Sequence, residues 1–265
     1  MKYTYLSFNV FFIALALLTL LATGCTEAPK PPSDHLVGST LQTAIDHPDR
    51  PASDSQRDEQ RKPVQVLSFL GVSPGMKVVD IMAGGGYYTE LLSRVVGPQG
   101  VVYAHNHKLY YEFQSDKFVE QRLADQRLGN VLRWDKELVQ LDLPANQIDA
   151  IFVMLGFHDF YWMKANPEQV ISDLFDALKP GGTLGIVDHS AIIGSGDTEA
   201  KDMHGIHRID EQLVEQLLTQ AGFILDSSSD ILRNPQDSRD KAFFDSSLIH
   251  QPTDRFVFRF IKPAL

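Results

Sequence analysis

Residues 78–91 read VVDIMAGGGYYTEL, and this stretch decides the fold. A β-branched run ends in an acid, Asp80, and a glycine-rich turn leads into a helical segment. Gly84 and Gly86 can adopt backbone angles closed to other residues, and they let a ligand approach the chain closely. Asp80 can orient the turn or accept a bond from a ligand ammonium. No Lys-Ser/Thr pair follows, so the turn is not a Walker loop, and the dinucleotide fingerprint fits poorly. Taken alone, such a turn is also compatible with a tight connection that binds nothing.

Working outward, apolar runs alternate with helical patterns. Strands are expected at Lys77–Met82, Val101–Ala104, Val131–Trp134, Ile148–Leu155 and Thr183–Val187, with two more near Phe223–Leu225 and Arg255–Ile261. Helices are expected at Val64–Leu70 behind Pro63, Tyr88–Val96, Phe113–Leu128, from Asn166-Pro167 to Leu178, and from an Asp210 cap to Ala221. This order predicts an α/β fold with a doubly wound, mostly parallel, Rossmann-like sheet of seven strands. Ligands of such sheets bind outside the C-terminal strand ends, at the switch point of strand order. That places Met82–Gly86, His105-Asn106, Trp134-Asp135, Gly156–Phe160 and Asp188–Ser190 around one site.

Taken together, the motifs resemble those of class I S-adenosylmethionine-dependent methyltransferases, in particular poorly characterised bacterial members. The turn looks like their first motif, IDAIFVML (148–155) like their fourth strand, and ALKPGGTLGIVD (177–188) like their fifth. The resemblance covers about Val64 to Pro263. It implies S-adenosyl-L-methionine as cofactor, with Asp80, Ala83, Gly84 and Gly86 at its methionine end, Asn106 at the ribose and Asp135 near the adenine. Two positions depart from the pattern. Asn106 stands where an acid is usual, and Met82 where the first glycine is usual.

Histidines gather at the expected strand ends. His158 and His189 are candidate general bases, because a neutral imidazole suits removal of a proton from a hydroxyl or amine. His204 and His207 share a loop. A metal site is an alternative reading of these histidines, and so is a capping or core role for each. No metal is assigned.

The N-terminal segment points elsewhere. An apolar run of about 13 residues, Val10 to Ala22, is short for a bilayer span and fits a signal-peptide core. It ends in Ala22-Thr23-Gly24 before Cys25, the sole cysteine, which resembles the lipobox of bacterial lipoproteins. The expected organisation is a signal peptide over 1–24, lipidation at Cys25, a flexible Pro-rich tether over 25–40 and a methyltransferase-like domain over 41–265. Thr26, in place of aspartate, favours the outer membrane facing the periplasm, with the inner membrane as the alternative. One cysteine excludes an intramolecular disulfide and a multi-cysteine zinc site. A net charge of -10 with no basic cluster argues against a nucleic-acid partner. No repeat or heptad array assigns an oligomeric state.

Two functions follow. One is a lipid-anchored methyltransferase acting on a small molecule or an envelope component. The other is a non-catalytic ligand- or metal-binding lipoprotein on the same fold.

Overall fold

The computed structural model describes residues 1, 34–112, 115–248 and 251–264. The signal-peptide, lipidation and most of the tether assignments lie outside the described residues. Among the described residues, no helix is long and apolar enough to cross a membrane.

Seven strands form one sheet: β1 (Lys77–Ile81), β2 (Val101–Asn106), β3 (Val131–Asp135), β4 (Ile148–Met154), β5 (Leu178–His189), β6 (Ile224–Ser229) and β7 (Arg255–Ile261). Their order is β3-β2-β1-β4-β5-β7-β6, parallel except for β7, which runs antiparallel to both neighbours. Strand order reverses between β1 and β4, so the switch point falls beside the glycine turn. The central strands are apolar on both faces because helices cover both.

The helices are α1 (Asp34–Ile45), α2 (Ala52–Ser55), α3 (Asp58–Arg61), α4 (Pro63–Leu70), α5 (Tyr87–Val96), α6 (Leu109–Glu112), α7 (Ser115–Leu123), α8 (Asp159–Trp162), α9 (Pro167–Ala177) and α10 (Glu211–Gln220). Their starts follow sequence signals. Asn166 accepts a bond from the Gln169 amide at 3.2 Å, with Pro167 at the first turn. Asp210 accepts from Gln212 at 3.0 Å.

Alternation along the strands builds two apolar layers. Val78, Phe152, Val187 and Val257 pack with α1, α4 and α5 on one face. Val79, Ile151, Ile186 and Phe256 pack with α9 and α10 on the other.

Three expectations are corrected. Residues 34–40, assigned to the tether, belong to α1, which packs on α4 and α5 through buried Leu41 and Ala44. The single helix expected over Phe113–Leu128 is broken after Leu123, where Asp125 and Gln126 both take φ of 54°. The fifth strand, expected to begin at Thr183, begins at Leu178, and its Lys179–Gly182 segment bulges, with Gly181 at φ of 79° and a register shift against β4. Gly181 donates to the Lys262 carbonyl at 2.8 Å, and Lys262 donates to Gly182 at 3.0 Å, so the residue after β7 ties the bulge to the sheet.

Candidate active site

The pattern that builds the sheet also builds the site's floor. Asp80 is the penultimate residue of β1, Met154 ends β4, His189 ends β5 and Arg255 starts β7. All four line one cavity. Each lies two residues from a member of the α4–α5 layer, namely Val78, Phe152, Val187 and Val257, so period-two alternation sends all four to the same face. The cavity measures about 390 Å³, within the range of small-molecule sites. Met82 to Gly85 border it, Arg57, Gln60 and Arg61 come from the α2–α3 region, and Tyr110, Phe243 and Thr253 complete the wall.

The turn is held from below. The Asn106 side chain accepts from the Gly84 amide at 2.8 Å and donates to the Gly84 carbonyl at 3.0 Å. His105 Nδ1 accepts from the Met82 amide at 3.3 Å, while its Nε2 donates to the Lys136 carbonyl at 3.1 Å. Burial lowers the His105 pKa to about 4, so the ring is neutral, as these two bonds require. Met82 takes φ of 58°, a left-handed conformation costly for a long side chain, which explains the usual glycine there. Gly84 also has positive φ, and a Cβ built on it would meet nothing within 4 Å, so its backbone borders open space. Gly86 differs. A Cβ there would come within 2.9 Å of the Arg122 side chain, and its amide donates to Ala83 at 2.9 Å.

Asp80 is buried and accepts from the Thr89 hydroxyl at 2.6 Å. Burial raises its pKa to about 6, against the opposing pull of Thr89, Arg61 and Arg122. Arg61 lies over the Tyr87 ring at 4.6 Å and the Tyr88 ring at 5.6 Å, with no carboxylate partner among the described residues. Arg255 is 5% exposed, donates to the Gln60 carbonyl at 2.5 Å and leaves its buried Nε without a partner. The cavity thus carries an acid near the turn and two guanidinium groups with spare donors.

The two candidate bases sit side by side, their ring centroids 5.9 Å apart. His158 is flanked by two carboxylates, Asp188 Oδ1 at 2.7 Å from Nδ1 and Asp159 Oδ1 at 3.0 Å from Nε2. Burial opposes its charge, but the two acids outweigh that and hold its pKa well above the usual value. The expectation of a neutral base at His158 does not fit this environment: both nitrogens are engaged and the ring is held protonated. His189 is pushed the other way, by burial first and then by the charges of His158, Arg255, Arg208 and Arg61. Its Nδ1 lies 2.6 Å from the Thr253 hydroxyl, Phe243 stacks on it at 4.8 Å, and no partner meets Nε2 among the described residues.

The structure therefore gathers Asp80, Ala83, Gly84 and His189 on one cavity, and sets Gly86, Asn106, Asp135 and His158 off its lining. Asn106 is buried, bonded through both its oxygen and its nitrogen to the Gly84 backbone, and does not line the cavity. Asp135 bonds Arg133 Nε at 2.7 Å and faces a separate depression with Lys108 and Lys136. Site residues not nominated from sequence include Arg255, Tyr110, Thr253 and Phe243. The signal for Arg255 was a charge opening an otherwise apolar strand, RFVFRFI.

The architecture is that of class I methyltransferases. Over 85% of its length the chain superimposes on a SAM-dependent methyltransferase from Aquifex aeolicus, with a TM-score of 0.57, 22% identity and 98% of that chain covered. It also superimposes on the [4+2]-cyclase SpnF, with a TM-score of 0.56, 16% identity, and 89% and 97% of the two chains covered. Residues 79–186 match the family model described as a methyltransferase domain. The ubiquinone/menaquinone biosynthesis C-methyltransferase UbiE of Saccharophagus degradans is 33% identical over 123 residues, 46% of either chain. That of Stutzerimonas stutzeri is 30% identical over 125 residues, 47% of this chain and 46% of that one. The chain spans about half the length of these curated relatives. Its fold is thus that of the class I methyltransferases, and residues 79–186 match a methyltransferase domain, a class whose cofactor is S-adenosylmethionine.

The residues present fit the methionine end of that cofactor. Gly84 offers open space beside its backbone, Asp80 an acceptor for an ammonium, and Arg61 a guanidinium for a carboxylate.

Proposed function

We propose that this protein transfers a methyl group from S-adenosylmethionine to a small molecule or envelope component held beside His189. The observation that carries the reading is the joint presence of the glycine turn, Asp80 and a neutral histidine on one cavity wall. When bound, the cofactor supplies an electrophilic methyl group. Asp80 and Arg61 would hold its ammonium and carboxylate, and Gly84 lets the backbone approach. His189 Nε2 takes the proton that the acceptor loses, and the Thr253 hydroxyl sets the ring's orientation through Nδ1. Phe243 and the Tyr87, Tyr88 and Tyr110 rings wall the cavity and exclude water. Methyl transfer is an in-line displacement, so positioning supplies a large share of the rate. Arg255, with an unused donor, suits an acceptor bearing an anionic or strongly polar group. The curated relatives are ubiquinone/menaquinone biosynthesis C-methyltransferases, which makes quinol-type rings the first acceptors to try.

The apolar run ending at Cys25 supports export and lipidation, with the domain facing the periplasm from the outer membrane. A Cys25→Ser variant is expected to lose membrane association and accumulate unprocessed. A wild-type mature protein that is soluble and starts elsewhere refutes the anchor.

One observation favours a second reading, a binding lipoprotein without catalysis. Asn106 stands at the ribose position and is committed to the turn, a departure that a decayed site would show. Calorimetry with S-adenosylmethionine and its demethylated product separates the two. Micromolar binding, lost in Gly84→Val with the fold intact, supports the enzyme. No binding of either form by the folded wild-type protein selects the second reading.

A further inference from the structure

Behind the His189 wall three side chains converge that methyl transfer does not use. His158, Asp159 and His207 are buried, and one ligand-type atom of each lies within 4.8 Å of the other two. The first two stand at the start of α8 after β4, and the third lies between β5 and α10.

Both rings are oriented from their far side. His158 Nδ1 lies 2.7 Å from Asp188 Oδ1, and His207 Nε2 lies 2.9 Å from the Met203 carbonyl. A carboxylate and a carbonyl only accept, so each of those nitrogens carries a hydrogen. His158 Nε2 and His207 Nδ1 are thereby turned toward Asp159 Oδ1. An acceptor on the far nitrogen is the arrangement that orients metal-binding histidines. Asp159 is fixed as well, by the Tyr110 hydroxyl at 2.5 Å on Oδ2 and the Trp162 indole at 2.6 Å on Oδ1.

The spacing agrees with a metal. Asp159 Oδ1 lies 3.0 Å from His158 Nε2 and 3.7 Å from His207 Nδ1. Tetrahedral bonds of about 2.0–2.1 Å separate neighbouring ligand atoms by about 3.3–3.4 Å, between the two values. A proton shared by His158 and Asp159 accounts for the shorter distance only. At 3.7 Å the His207 nitrogen is beyond hydrogen-bond range, so its aim needs another reason. His207 also holds φ of 55°, a conformation that side chains other than glycine rarely keep.

Charge points the same way. Asp159 and Asp188 are buried together on the His158 ring, and the buried Arg208 is paired elsewhere, with Asp237 at 2.8 Å. The other groups packed on the cluster are Tyr110, Trp162, Phe243 and His189, none of them a fixed cation. The His158 imidazolium offsets one of the two carboxylates, and a divalent ion that displaces its Nε2 proton balances both.

We infer that His158 Nε2, Asp159 Oδ1 and His207 Nδ1 form a binding site for a divalent d-block cation, with Zn²⁺ the best match to two imidazoles and a carboxylate. Three protein ligands leave a position open. The Phe243 ring, which lines the cavity, is centred 6.2 Å from the His158 ring and 6.0 Å from the His207 ring.

The test uses the full-length protein, purified without a histidine tag and with no cofactor present, so it reads nothing of methyl transfer. Metal analysis after Zn²⁺ loading and dialysis, Zn²⁺ calorimetry, and Co²⁺ absorption are measured on wild type, His207→Ala and Asp159→Asn. The expected result is one ion per chain, tetrahedral Co²⁺ bands, and at least about 100-fold weaker binding in whichever variant retains its circular dichroism. A folded wild-type protein that takes up neither ion overturns the site. So does uptake that is unchanged in both variants.

Discussion

His158 and His189 are neighbours at the ends of adjacent strands, yet they are opposites. Around His158 every polar atom is engaged, with an acid on each ring nitrogen. Around His189 one nitrogen meets Thr253 and the other is left without a partner among the described residues. The carboxylates repeat the contrast. Glu90 is fully buried and bonded by Arg94, Arg122 and Arg127. Burial alone would raise its pKa, but the arginines lower it to about 2. Asp80, on the strand that precedes it, has a hydroxyl for company and is raised to about 6. The arginine-saturated Glu90 holds the fold, while Asp80 and His189, left short of partners, mark where a ligand in the cavity supplies the rest.

Substituting both histidines tests this contrast most severely. His189→Ala is expected to slow methyl transfer by roughly 10²–10⁴-fold with little change in melting temperature. A rate close to wild type would remove His189 from the reaction. His158→Ala is expected to act on stability, lowering the unfolding free energy by about 3–5 kcal/mol in urea titration, because it strands two buried acids. If instead it unfolds no more readily than wild type, the cluster is not saturated in the sense argued here.

A smaller effect is expected at the turn. Gly84→Val forces a side chain into positive φ at a cost of about 1–2 kcal/mol and fills the space beside the backbone. Cofactor affinity should fall well beyond what that strain explains, as read by calorimetry.

The smallest effects concern pH. Asp80 must be ionised to hold an ammonium, so cofactor affinity should weaken as pH falls below about 6, approaching tenfold per pH unit. For stability the two carboxylates act oppositely. The Asp80 contribution is full below its unfolded pKa of 3.8 and is lost as pH rises through about 6. The Glu90 contribution is present above 4.5 and is lost as pH falls toward about 2. Asp80→Asn should therefore flatten the stability profile between pH 4 and 6, and Glu90→Gln the limb below it. An unchanged profile in Asp80→Asn would mean that the carboxyl is not perturbed by burial.

The sequence by itself determined the alternation of strands and helices, the glycine turn after β1 and the placement of strand ends around one site. These are local properties. Apolar periodicity, caps and positive-φ positions act over a few residues, and the antiparallel last strand is part of a fold whose signature lies in its motifs. Alternation alone also brings Asp80, Met154, His189 and Arg255 to one face. What the tertiary structure decided is which polar groups remain available. Asn106 looked like a ribose ligand until Gly84 was found on both ends of its amide. His158 and His189 read alike in sequence, and their charge states separate only because the fold sets Asp159 and Asp188 on the two ring nitrogens of His158 and neither on those of His189. Arg255 meets the Gln60 carbonyl across 195 residues. A side chain's protonation and its unused donors depend on whatever surrounds it in space, and for these residues the surroundings come from strands and loops far along the chain.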